Sequence, residues 1–292
     1  MVSVGTYIVG ALSLLLVWLS IGFTAYRLRR QLLPAWEGAP ARLVESVTAI
    51  ALLIWLGELL GTLGLFYAWV LIAASVLLAA SAWTLLPAGG AVGGTAPEEA
   101  SATAGGGGSP AATGPAGPET LVWLVTVGVI GLVVAHWGLT TKSPLDRGIF
   151  NFDSLWYHMP FAVDMTKSHS TTGLHYTETV FTNWFYPQNS ELLHAVGILL
   201  TQRDMLSLFI NFAFLAIAFL AAWCIGRPYG RGHLTVVAAA IVLECHTLVV
   251  REPGAAKNCV CRHRSRLAVI EAANKNGTGS FNRKRKIPLA QT

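Results

Sequence analysis

Blocks of about 20 consecutive apolar residues recur along this chain, and each is long enough for a helix to cross the hydrocarbon core of a bilayer. Lipid offers a backbone amide no water to bond, so such a block must close its hydrogen bonds internally, as a helix. Six segments fit: residues 4–25, 43–62, 64–86, 120–140, 205–226 and 233–250. The chain reads as an all-α polytopic membrane protein with about six transmembrane helices. Its composition agrees. Hydrophobic residues make up 53% and charged residues 12%, whereas a soluble domain carries about 25% charged residues.

Basic residues next to spans set the orientation, because short cytoplasmic loops collect Lys and Arg. Arg27, Arg29 and Arg30 follow the first span, and Arg227 and Arg231 follow the fifth. An even number of spans separates the two clusters, so both fall on one side. That side is expected to be the cytoplasm, with the N-terminus and the loop 141–204 outside. The first span has no basic residues ahead of it, so it does not read as a cleavable signal.

The formal charge of +5 belongs to one tail. Residues 259–292 hold 8 of the 20 Lys and Arg and one of the 15 Asp and Glu; 12 basic less 14 acidic leaves −2 elsewhere. This is no nucleic-acid footprint across the chain. Cys224, Cys245, Cys259 and Cys261 form neither a disulfide framework nor a zinc spacing. Four regions follow: a three-span unit (1–86), a Gly/Ala/Pro-rich linker (87–118) unable to bury a core, a second membrane segment (119–258), and the basic tail (259–292).

The outer loop carries the chemistry-bearing residues. Its first run is Asn151-Phe152-Asp153-Ser154-Leu155-Trp156-Tyr157-His158-Met159-Pro160, about ten residues past a span. Its second is Trp184-Phe185-Tyr186-Pro187-Gln188-Asn189-Ser190-Glu191-Leu192-Leu193-His194. Asp153 suits a helix N-cap and equally a carboxylate at the membrane–water boundary. A helix from Asp153 would put Tyr157 on its face. The aromatic rings suit an interfacial belt or a platform for a sugar ring. Glu191 and His194 share a face of an amphipathic stretch ending at Thr201, expected to be an interfacial helix. Glu244 lies near the outer end of the sixth span, where a carboxylate is a functional group, a buried pair or a snorkelling side chain.

The two loop runs and the order of spans resemble the first external loop of bacterial GT-C glycosyltransferases, enzymes related to the protein mannosyltransferases and to lipopolysaccharide sugar transferases of the RgtA/B/C/D type. The resemblance covers residues 120–258. It implies transfer of a sugar from a polyprenyl-phosphate donor to an envelope glycan, lipid or protein outside the bacterial cell membrane. It implies Asp153 as the catalytic carboxylate. Tyr157, His158, Tyr186, Gln188, Asn189, Glu191, Arg251, Glu252 and Lys257 would line the substrate pocket, the last three from a second external loop. Asp153 and His158 could share a divalent cation, though no cofactor is required by the spacing. The three-span unit is additional to the family's pattern, and the apolar pattern stops after Asn258 where the family continues. Residues 259–292 are therefore expected to be a frameshifted or disordered end, and the chain alone inactive. The rival readings are a non-catalytic membrane protein, such as a transporter fragment or assembly partner, and an inactive remnant.

Overall fold

The computed structural model describes residues 4–86, 118–174 and 188–256. All lie within one compact unit, Met1–Lys257. The secondary structure is helical throughout the described residues: α1 (Val4–Leu32), α2 (Gly38–Thr62), α3 (Ala68–Leu85), α4 (Pro118–Arg147), a π-helical turn (Ser154–His158), α5 (Met159–Ser168), α6 (Asn189–Thr201), α7 (Ser207–Gly226), α8 (Gly232–Leu243) and α9 (His246–Arg251). Five of these, α1 to α4 and α7, are long and apolar enough to cross a membrane. The chain is an all-α, multi-pass membrane protein.

The sixth expected span differs. Residues 233–250 do not form one helix: α8 has 12 residues and ends at Leu243, Cys245 is extended, and α9 follows. Twelve residues rise about 18 Å, too short to cross the hydrocarbon core alone. The break falls at Glu244, whose carboxylate turns toward His136 of α4.

The basic residues after the first span also differ from a loop. α1 runs on to Leu32, so Arg27 and Arg29 are helical and buried. Arg29 donates to Glu45 of α2 at 2.9 Å and to the Trp36 carbonyl at 3.1 Å. Arg27 donates to the Trp83 carbonyl at 3.1 Å and lies over the rings of Phe23 and Trp83. These partners are what a guanidinium requires inside a membrane protein. The α7–α8 turn stands at the same end of the bundle. The Arg227 guanidinium is within 3.3 Å of where a Gly38 Cβ would be, and Trp36, Leu43, Cys224 and Ile225 share one cleft. Both basic clusters thus lie at one end.

At the other end the turn between α2 and α3 is clasped by the segment after α5. Phe66 N–H donates to the His169 carbonyl at 3.1 Å, and Thr171 N–H to the Gly61 carbonyl at 3.2 Å. His169 stacks on Tyr67 with centroids 3.8 Å apart. Beneath them one apolar core draws Val17 and Ile21 from α1, Leu53 and Leu60 from α2, Phe161 and Met165 from α5, and Leu192 and Leu199 from α6. The helices on either side of residues 87–117 therefore share a core.

α6 is where the expected interfacial helix falls, but it is enclosed. Ten of its 13 residues are buried, packed against α1, α2 and α5. Close approach needs glycine opposite it. A Cβ on Gly10 would come 2.4 Å from the Leu200 carbonyl oxygen, and one on Gly57 would come 2.8 Å from Leu192.

Candidate functional site

The π-helical turn and α6 together build a buried polar cluster. In a π turn one extra residue enters each turn, a geometry found mostly at functional sites. Here it holds Ser154, Tyr157 and His158 inward. The His158 Nδ1–H donates to Glu191 Oε1, the carboxylate being able only to accept. Glu191 Oε2 accepts from Ser190 Oγ at 2.8 Å. Tyr157 covers the His158 ring at 4.0 Å between centroids. His194, one turn along α6, is fully buried. Burial pushes its imidazole down to about 4, against an opposing pull from Glu191, and His158 lowers it further. His194 is therefore neutral at physiological pH.

Three buried nitrogens, His158 Nε2 and both of His194, have no hydrogen-bond partner among the described residues. With Nδ1 held by Glu191, His158 keeps Nε2 as its acceptor atom. That is the arrangement of an imidazole oriented by a carboxylate for proton transfer.

Asp153 stands one π turn before His158 and is half-buried. It makes no capping hydrogen bond. Ser154 N–H instead approaches Asn151 Oδ1 at 3.4 Å, so the cap expected of Asp153 falls to Asn151.

Of the expected pocket residues, Tyr157, His158 and Glu191 come together with Asp153 close by in the chain. Gln188 precedes α6, and Asn189 is exposed at its first turn. Arg251 and Glu252 reach the site's rim through their backbones: Asn151 Nδ2 lies 3.5 Å from the Arg251 carbonyl, and Asn211 Nδ2 donates to the Glu252 carbonyl at 2.7 Å. The Glu252 side chain is buried. Tyr186 and Lys257 lie outside the described residues, as does the tail 259–292.

Sequence reasoning missed the residues that pin this rim. Ser154 Oγ accepts from Ala256 N–H at 3.0 Å, and Asn211 also donates to the Ala255 carbonyl at 3.0 Å. Asn211 carried a signal: it is the one carboxamide in the apolar run of α7. Two apolar-walled cavities adjoin this end. One of about 420 Å³ opens between Tyr7, Pro144, Ile149, Arg203 and Leu208. Another of about 180 Å³ lies under α6, between Trp18, Leu53, Val196 and Phe214. No protein-family model, curated protein or solved structure matches the chain.

Proposed function

We propose that the chain is a membrane glycosyltransferase, or part of one, that moves a sugar from a polyprenyl-phosphate donor to an acceptor outside the cell membrane. The observation that carries this reading is the buried His158–Glu191 pair on the turn that begins next to Asp153. The resemblance of the two loop runs to GT-C enzymes supports it, as do the apolar-walled cavities, which suit a prenyl chain.

In this reading the acceptor hydroxyl attacks the anomeric carbon, the bond from that carbon to the phosphate oxygen breaks, and polyprenyl phosphate leaves. Asp153 accepts the hydroxyl proton. The His158–Glu191 pair stiffens the turn that presents Asp153. Arg251, which is exposed, and Lys257 are the cations for the leaving phosphate, with Lys142 in the last turns of α4 a further candidate. No group of three or more metal-ligating side chains stands together among the described residues, so no step is assigned to a cation.

The test is transfer of radiolabelled sugar from a polyprenyl-phosphate carrier in membranes containing the chain or a longer parent form. Asp153→Asn should cut turnover at least about a hundredfold with unchanged membrane yield. Undiminished turnover would remove Asp153 from the chemistry. Failure of the wild-type protein to retain any polyprenyl-phosphate sugar would remove the glycosyltransferase reading itself. The alternative, a non-catalytic assembly partner or transporter fragment, draws on the broken helix at Glu244, a form transporters share.

A further inference from the structure

A second polar site lies away from the His158 cluster, on the side of the bundle formed by α4 and α8. The two helices run parallel. Thr126 Oγ1 lies 3.0 Å from His233 Nδ1, and His136 Nδ1 lies 2.6 Å from Glu244 Oε2. Between them is a groove of about 450 Å³, walled by Leu132, Val133, Ala240 and Ile241 and ended by the His136–Glu244 pair. An ionised carboxylate only accepts, so His136 is the donor to Oε2. The other oxygen, Oε1, is enclosed and has no hydrogen-bond partner among the described residues.

Three features specify an occupant. First, ionisable groups within membrane spans ordinarily face the bundle interior or a watery cavity. Here His136 is exposed on the outer surface of α4, in its apolar stretch. Second, the site favours positive charge. The carboxylate has an unused acceptor, and it stands at the C-terminal, negative end of α8. Third, the groove's rim is apolar and unpartnered among the described residues: Leu132 of α4 and Ile241 of α8 both line it and are 72% and 70% exposed.

We propose that this groove seats a transmembrane helix of a partner protein bearing one basic side chain, whose charged head hydrogen-bonds Glu244. A second copy of this chain fits poorly. Of the basic side chains within its spans, Arg27, Arg29, Arg30, Arg42 and Arg227 lie at the opposite end of the bundle, and Arg147 stands 11 residues beyond His136. Lys142 stands six residues beyond His136, about 9 Å farther along α4. A lipid tail would cover the walls but leave Glu244 Oε1 without a donor.

The test uses the purified chain, fluorescently labelled, in phosphatidylcholine vesicles. The probes are two acceptor-labelled Leu/Ala peptides of about 24 residues, one with a single Lys in its outer half and one with Leu at that position. Energy transfer should report association of the Lys peptide about tenfold tighter than the Leu peptide, a preference that Glu244→Gln removes. Val129→Trp keeps the His136–Glu244 pair but fills the groove that Val129 lines, and should block the Lys peptide even if the Glu244 variant fails to fold. Equal binding of the two peptides by the wild-type chain overturns the proposal. So does loss of the preference when phosphatidylethanolamine replaces phosphatidylcholine, which would assign the site to a lipid ammonium.

Discussion

His158 and Glu191 stand 33 residues apart in the chain and are hydrogen-bonded to each other where neither side chain reaches solvent. The bond ties the π turn to α6. A buried pair of this kind adds little over an apolar replacement, but removing one partner strands the other. Glu191→Ala should therefore destabilise the protein by about 3–5 kcal/mol. Glu191→Gln, which keeps an acceptor for His158, should cost about 1–2 kcal/mol. Thermal unfolding in detergent reads both, and equal small losses would mean that the pair does not hold the turn in place.

His194 predicts an acid sensitivity. Its folded pKa, about 4, lies below the unfolded value of 6.5, so between these values the unfolded chain binds more protons. Stability then rises with pH through this window. The contribution of neutral His194 is fully present above about 6.5 and falls away as pH drops toward 4. The full shift corresponds to on the order of 3 kcal/mol. Wild-type protein should lose thermal stability between pH 7 and 5, and His194→Leu should lose much less. Parallel pH profiles for the two proteins would place the acid sensitivity elsewhere.

The helices were legible because lipid makes span length and apolarity nearly sufficient. The pairings were not. Glu191 and His194 could be put on one face from their spacing, yet nothing local says that Glu191 turns to His158 across the loop. α6 read as interfacial because Glu191 and His194 share one face of an otherwise apolar stretch. In the fold both are buried, and glycines on α1 and α2 let the neighbouring helices close over α6. The region 233–250 read as one span because hydropathy averages over Glu244. His136 was the missing clue: an ionisable residue in an otherwise apolar stretch of α4 demands a partner, and that partner is at the break.

Gly10 gives a packing prediction. Its added Cβ would meet backbone, 2.4 Å from Leu200 O and 2.8 Å from Thr201 Cα, and backbone cannot step aside as a side-chain tip can. Gly10→Ala should push α1 off α6 and cost about 1–3 kcal/mol. Gly22 lies on the same helix with nothing within 4 Å. Gly22→Ala should leave stability unchanged or raise it by up to about 1 kcal/mol. If the two substitutions had the same effect, helix propensity rather than contact with α6 would govern α1.

Orientation follows from the two basic clusters sharing an end. The contact between Arg227 and the start of α2 puts Arg27, Arg29 and Arg30 on the same side as Arg227 and Arg231. Short cytoplasmic connections collect such residues, so this end should face the cytoplasm. The π turn, α5 and the α2–α3 turn should then face outward. With the four cysteines changed to serine, Glu37→Cys and Lys167→Cys place a thiol at exposed positions on opposite ends. An impermeant maleimide added to intact cells should label position 167 and leave position 37 unlabelled until the membrane is opened. The reverse pattern would invert the bundle and move the His158–Glu191 site to the cytoplasmic face. Extracytoplasmic sugar transfer would then be ruled out, whatever the effect of Asp153→Asn.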